Sequence, residues 1–69
     1  MENRLRELRE QNGLTQEDLA ARVNVSRQTI ISLEKGKYNP SIVLAYKLAQ
    51  VFRLPIENVF VFEAGEEHI

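Results

Sequence analysis

Residues 14–40, with the sequence LTQEDLAARVNVSRQTIISLEKGKYNP, decide how this 69-residue chain folds. Thr15 and, three residues later, Asp18 form a capping-box pattern, which predicts the start of a helix. Ser26 is a favoured N-cap and predicts the start of a second helix. Because only residues 24–26 separate the two predicted helices, they cannot lie antiparallel and must cross steeply, as in a helix-turn-helix motif.

Apolar residues recur at helical spacing in both helices and predict one core-facing side for each. In chain order these residues are Leu19, Ala20, Val23, Ile30 and Leu33. Asn24 tolerates the left-handed backbone conformation that a sharp turn needs. Val25 is expected to point back to the core, and Gly36 is a C-cap signal. The second helix then presents an outward row that consists of Arg27, Gln28, Thr29 and Ser32.

The remaining sequence predicts three further helices around this motif, and therefore an all-α, compact five-helix bundle. The predicted helices cover residues 3–11, 16–23, 27–35, 42–52 and 56–60. Asn12 and Gly13 end the first of them, Ser41 caps the fourth, and Pro55 is acceptable at the start of the fifth. The fourth helix carries a core-facing apolar stripe formed by Ile42, Ala45, Leu48, Ala49 and Phe52.

The end of the chain departs from a plain helical domain. Val59–Phe62 is a run of four apolar, β-prone residues, which favours a short extended segment at Val61–Glu63. An apolar strand at the edge of a small domain has to be covered, and a second copy of the chain would cover it. The residues predicted at such a dimer interface are Val59, Phe60, Val61 and Phe62. The alternative is that Phe62 folds back onto its own core.

Length and composition limit the chain to one domain, predicted as residues 1–62 followed by an acidic tail of residues 63–69. The chain has no cysteine, which excludes disulfides and thiolate metal sites. Its charged N-terminus contains no apolar run, which predicts neither a signal peptide nor a membrane span and favours a cytoplasmic protein. A net charge of −1 is unusual for a nucleic-acid binder. However, residues 22–37 hold four cationic side chains against one acidic side chain.

No residue pattern in the sequence supports catalysis. His68 is the single histidine of the chain and lies in the polar tail. The tail carboxylates Glu63, Glu66 and Glu67 are expected to be solvated charges, and the glycines are too scattered to form a phosphate-binding loop. The sequence therefore predicts a binding protein with no metal or other cofactor.

The pattern GLTQEDLA…VSRQTI…LEKGK…P, which begins at Gly13, resembles the helix-turn-helix of the Cro and phage-repressor family of bacterial and archaeal transcriptional regulators. The similarity extends from about Leu5 to Phe60. It implies a sequence-specific prokaryotic regulator, expected to be a repressor that binds a palindromic operator in double-stranded DNA as a homodimer. In the docking geometry of that family, the second helix of the motif lies in the major groove with its first residues toward the base edges.

By this resemblance, Arg27, Gln28 and Ser32 match base-reading positions, and Thr29 is expected near a thymine methyl group or a phosphate. Arginine binds guanine, and glutamine binds adenine, through two hydrogen bonds each. Five residues are expected to contact phosphates, which fixes the register on the duplex without reading sequence. They are Gln16 at the start of the preceding helix, and Lys35, Lys37, Tyr38 and Asn39 beyond the end of the second.

The resemblance also implies a structural ion pair, in which Arg9 binds Glu34 and ties the first helix to the third. Ile31 is given no role, because relatives usually carry a polar or small residue at this position. It is either an ordinary exposed side chain or part of a partner surface. The competing hypothesis for the whole chain is a protein-interaction module, such as an antitoxin, that binds a protein partner through Val59–Phe62 and the tail.

Overall fold

A computed structural model describes residues 1–37 and 39–61 and shows a helical domain over those ranges. The elements in chain order are α1 (Leu5–Gln11), α2 (Gln16–Arg22), α3 (Arg27–Glu34), α4 (Ile42–Val51) and a 3-10 turn (Ile56–Asn58). The all-α class is confirmed, whereas the fifth α-helix is wrong and is replaced by this single turn. In the part of the chain described, no helix is long and apolar enough to cross a membrane. The predicted boundary between domain and tail lies outside the described residues.

Within residues 1–37 and 39–61, twelve apolar side chains are buried together in one core, to which every helix contributes. The largest of them have less than 2% of their surface exposed: Phe60, Leu5, Leu19, Ile30, Leu33, Leu48 and Val59. Burying one such side chain stabilises the fold by about 1.5–3 kcal/mol. Helices of seven to ten residues are too short to persist alone, so this core holds them in place.

The helix starts are fixed by the predicted side-chain caps. Thr15 and Asp18 form the capping box at α2, in which each side chain accepts a hydrogen bond from the other residue's backbone N–H, at 3.0 and 2.9 Å. The side-chain oxygens of Ser26 and Ser41 likewise accept hydrogen bonds from backbone N–H groups at the starts of α3 and α4. All three caps are therefore confirmed.

The turn after α2 and the end of α3 each contain a residue with a left-handed backbone conformation. Asn24 has a φ of 59° and allows α2 to turn directly into α3, as its tolerance of that conformation predicts. Val25 is partly buried and packs against the core, also as predicted. Gly36, with a φ of 71°, ends α3, and a Cβ there would come within 3.3 Å of the backbone oxygen of Met1. Local sequence thus fixes the sharp turn that joins α2 to α3.

The two ends of the described chain pair with each other. Asn3 and Phe60 form an antiparallel β-bridge. Two backbone hydrogen bonds of 2.8 Å flank the bridge, from Arg4 N to Val59 O and from Val61 N to Glu2 O. This pairing draws the backbone out of helical geometry after Asn58, which is why the predicted fifth helix stops after one turn. Of the extended segment predicted at Val61–Glu63, only Val61 belongs to the described residues.

The same pairing moves the start of the first helix from residue 3 to Leu5. Instead of joining the helix, Asn3 uses its side-chain oxygen to accept a hydrogen bond from the Leu5 N–H, at 3.0 Å. Its amide nitrogen donates to the backbone oxygen of Leu33 at 2.7 Å. Asn3 thereby links the N-terminal segment, α1 and the end of α3.

Burial also corrects part of the predicted dimer interface. Val59 and Phe60 are 0% and 1% exposed within a single chain, so they have no surface to offer a second copy. Val61 keeps 37% of its surface exposed, and Phe62 lies outside the described residues. Three of the four predicted interface residues belong to the described part of the chain, and of these three Val61 is therefore the one that exposes surface to solvent.

The apolar stripe of α4 begins one turn later than predicted. Ala45, Leu48 and Ala49 are buried, but Ile42 is 83% exposed. Because Ser41 caps the helix, Ile42 is its first residue and lies beyond the edge of the core. Two further apolar residues of α4 are also exposed, Val43 by 62% and Tyr46 by 54%. The first turn of α4 therefore presents an apolar surface to solvent.

Candidate nucleic-acid interface

The start of α3 presents polar side chains to solvent. Arg27 and Gln28 are exposed on its first turn, while Thr29 and Ser32 are partly buried. The hydroxyl groups of Thr29 and Ser26 lie 3.0 Å apart and share a hydrogen bond. Among the residues that the structure describes, the side chains of Arg27 and Gln28 have no hydrogen-bond partner, so their donors are available to a ligand. The outward row predicted for this helix is therefore exposed at its first two positions and partly covered at the other two.

An open concavity of about 820 Å³ lies between α1, the start of α2 and the side of α3. Four cationic and two acidic side chains line it, together with apolar and amide groups. Arg27 extends from the first position of α3, Lys35 from its C-cap and Gln16 from the first position of α2. The four cations outnumber the two carboxylates, so the concavity carries a net positive charge that suits an anion. One of the carboxylates, Glu34, is bound to Arg9.

The floor of this concavity contains a hydrogen-bonded ion pair between Arg9 and Glu34. Arg9 donates from Nε to one carboxylate oxygen at 2.7 Å and from a terminal nitrogen to the other at 3.3 Å. A third donor of Arg9 reaches the backbone oxygen of Leu14 at 2.9 Å. The two side chains are only 11% and 6% exposed, and the hydrogen bond to Glu34 raises the pKa of Arg9. The pairing implied by the resemblance is thus present, and it joins α1, the α1–α2 turn and α3.

Gln16 extends this network toward solvent. Its amide nitrogen donates to Glu34 at 3.2 Å. A carboxylate accepts hydrogen bonds and donates none, so it faces the amide nitrogen of Gln16 and not the amide oxygen. Among the residues that the structure describes, this amide has no second acceptor, so one N–H remains to donate to a ligand in the concavity. Sequence reasoning missed this contact, since no local pattern relates two residues 18 positions apart.

The other predicted phosphate contacts lie beyond the end of α3. Lys35, Lys37 and Asn39 are exposed there, and Tyr38 lies outside the described residues. Ile31 lies between Arg27 and Lys35 at four-residue spacing on α3, and it lines the concavity. Helical spacing alone relates these three residues, so the sequence could have predicted that Ile31 lies beside the two cations.

The chain matches a family model described as helix-turn-helix over residues 5–59. An uncharacterized HTH-type transcriptional regulator of Archaeoglobus fulgidus is 56% identical over 66 residues, which are 96% of this chain and 94% of the relative. An uncharacterized regulator of the same type from Methanocaldococcus jannaschii is 53% identical over 66 residues, which are 96% of this chain and the whole of that protein.

Solved structures show the same fold. The restriction-modification controller protein C.AhdI from Aeromonas hydrophila superposes with a TM-score of 0.75 and 38% identity, over 83% of this chain and 86% of that one. A transcriptional regulator from Listeria innocua superposes with a TM-score of 0.70 and 26% identity, over 93% of this chain and 65% of that one. With α2 and α3 forming the motif and exposed polar groups at the start of α3, the chain belongs to the Cro/C1-type helix-turn-helix family of DNA-binding transcriptional regulators, which are not enzymes.

Proposed function

We propose that this protein is a sequence-specific transcriptional regulator that binds a palindromic operator as a homodimer, with α3 in the major groove. The observation that carries the proposal is the pair of exposed side chains, Arg27 and Gln28, at the start of α3. In helix-turn-helix proteins this end of the recognition helix reaches the base edges. Arg27 is suited to guanine and Gln28 to adenine, through two hydrogen bonds each. Thr29 and Ser32 complete the base-facing side.

Phosphate contacts hold the helix in register on either side of these residues. Gln16 has one amide N–H free beside the positive concavity, and Lys35 lines the same concavity. Lys37, Tyr38 and Asn39 supply the flanking contacts after the end of α3. Because the whole chain has a net charge of −1, binding to random DNA is expected to be weak, and specificity then depends on the base contacts.

The homodimer and the repressor activity belong to the same proposal. A single motif reads only a few base pairs, whereas two copies related by a twofold axis read an inverted repeat with half-sites about one helical turn apart. The exposed part of Val61, beside the paired chain ends, is where the second copy is expected to begin contact. A repressor of this kind needs only to occupy its operator, and neither a ligand nor a cofactor is required.

The proposal is tested by selecting bound sites from a randomised duplex pool at about 100 mM salt, where phosphate contacts alone bind weakly. Enrichment of an inverted repeat with half-site centres about 10 base pairs apart supports the dimeric regulator. Enrichment of a single half-site keeps the DNA-binding function and contradicts the homodimer. Absence of any enriched sequence contradicts sequence-specific binding.

Variants then separate base reading from phosphate binding on the selected site. Arg27→Ala and Gln28→Ala should each cost about 1–3 kcal/mol of binding free energy and relax one base position. Gln16→Ala should weaken binding to selected and random duplexes by the same factor. Lys47→Ala, which removes an exposed cation of α4 instead, is the matched control for loss of charge. Equal losses on selected and random DNA for Arg27→Ala, Gln28→Ala and Gln16→Ala would contradict direct base reading.

A second candidate function is binding to a protein partner such as a toxin. Val59 and Phe60, two residues of the surface expected for it, are buried, whereas the first turn of α4 exposes apolar side chains. Ile42 and Val43 are 83% and 62% exposed, and apolar surface rimmed by polar residues is typical of protein-binding sites. The alternative predicts that Ile42→Lys abolishes neutralisation of the product of an adjacent gene and leaves the selected DNA site bound. Loss of DNA binding with unchanged neutralisation would contradict it.

A further inference from the structure

Ile31 is an apolar side chain in a polar setting. It lies on α3 midway between Arg27 and Lys35, four residues from each, and lines the positive concavity with them. It is partly buried, yet it is not among the partly buried apolar residues that pack against the core. Its apolar surface therefore faces the concavity and does not contribute to the core.

Ile31 lies in a different row of α3 from Gln28 and Ser32, and its own row begins with Arg27, the residue proposed to read guanine. Positions four apart follow one another along one row of a helix, so Gln28 and Ser32 occupy one row of α3. Arg27 and Ile31 occupy the adjacent row, which Lys35 continues at the C-cap. The second row borders the concavity that also contains the free N–H of Gln16. A ligand that reaches Ile31 is consequently held by donors on two sides.

We propose that Ile31 packs against a deoxyribose of the bound duplex, at the nucleotide whose phosphate is held by Gln16 and Lys35. This inference rests on the proposed function and adds a contact residue to it. A nucleotide backbone alternates an anionic phosphate with a ring that carries C–H groups, and on the α3 side of the concavity Ile31 lies between the cationic side chains of Arg27 and Lys35. The positive charge of the lining selects DNA over a neutral apolar partner.

Such a contact has a distinctive signature. A sugar contact carries no charge and reads no base, so its loss should weaken binding to every duplex by the same factor. Because no counterion is released by it, the slope of log K against log salt should stay unchanged. Loss of a phosphate contact instead reduces that slope by about one.

The experiment measures the affinity of wild type and Ile31→Ala for the selected duplex and for a random duplex, each at several salt concentrations from about 50 mM upward. Ile31→Ala should bind both duplexes roughly five- to tenfold more weakly per protomer, since part of its apolar surface is no longer buried. Its salt slope should equal that of wild type. Lys35→Ala is the comparison variant and should lower the slope. Ile31→Leu, which keeps the apolar surface, should bind like wild type.

Three results would overturn the inference. Wild-type affinity in Ile31→Ala for both duplexes would show that the side chain does not contact DNA. A loss restricted to the selected duplex, and reproduced in wild type by replacing one thymine with uracil, would show that Ile31 reads a methyl group. Failure of wild type to bind any duplex at about 50 mM salt would contradict the proposed function itself. An unfolding curve of Ile31→Ala that matches wild type excludes misfolding as the cause of weaker binding.

Discussion

Replacing Arg9 by methionine should cost far more stability than its position on a surface helix suggests. The substitution keeps the aliphatic stem but leaves Glu34, which is 6% exposed, with Gln16 as its remaining side-chain donor among the described residues. Removing one partner of a buried ion pair costs about 3–5 kcal/mol. Because both side chains keep a small exposed fraction, we expect the lower end, about 3 kcal/mol.

That loss is large for a chain of this size. A domain of 69 residues has a free energy of unfolding of about 3–10 kcal/mol, from about 0.05–0.15 kcal/mol per residue. In urea unfolding followed by far-UV circular dichroism, a slope of about 1 kcal/mol per molar would move the midpoint down by about 3 M. Protein concentration has to be held constant, since association would add to the apparent stability.

The chain provides a matched control three residues away on the same helix. Arg6 pairs with Glu10 at 3.4 Å, but these side chains are 74% and 57% exposed. Exposed pairs contribute only a few tenths of a kcal/mol, so Arg6→Met should shift the midpoint by less than about 0.5 M. If Arg9→Met shifts the midpoint no further than Arg6→Met does, the reasoning from burial is wrong.

Three further predictions follow from the fold. Phe60 is 1% exposed and Ile42 is 83% exposed. Phe60→Ala should therefore lower the free energy of unfolding by about 3–5 kcal/mol, whereas Ile42→Ala should change it by less than about 0.5 kcal/mol. Thermal unfolding of both variants checks this. Asn24→Ala should destabilise by about 1 kcal/mol, because alanine disfavours a φ of 59°, while Asn24→Gly should be as stable as wild type in the same measurement. The backbone hydrogen bond from Thr15 lowers the pKa of Asp18 in the folded chain. The charged carboxylate therefore stabilises the fold at a pH above the pKa that Asp18 has in the unfolded chain. This contribution is lost as the pH falls through the pKa that Asp18 has in the folded chain. The difference in Tm between wild type and Asp18→Ala should therefore be constant near neutral pH and shrink below about pH 4; a pH-independent difference would contradict it.

Local sequence signals predicted the motif well because local interactions determine it. Thr15, Asp18, Ser26 and Asn24 each act within four residues, through caps and one left-handed turn. The core positions of α2 and α3 follow from helical spacing alone. The same spacing failed for Ile42, since periodicity gives the direction of a side chain and not where the neighbouring elements end.

Contacts between distant residues account for the remaining errors. The bridge between Asn3 and Phe60 ends the 3-10 turn and delays the start of α1, and no pattern at either site signals the other. Val59 and Phe60 are buried in the core of a single chain, where sequence reasoning placed them between two chains. In the candidate site, the hydrogen bond from Gln16 to Glu34 could not be predicted for the same reason.

Glu34 connects the stability of the fold to the candidate site, and a double variant separates the two. Arg9→Met combined with Glu34→Leu replaces the buried pair by apolar side chains, an exchange that is often neutral or stabilising. The free energy of unfolding of the double variant should therefore lie within about 1 kcal/mol of that of wild type. Gln16 would then lack the acceptor that orients its amide, and DNA affinity should remain at the level of Gln16→Ala. Both quantities are measured on the same preparation. If affinity recovers together with stability, Glu34 influences DNA binding only through folding.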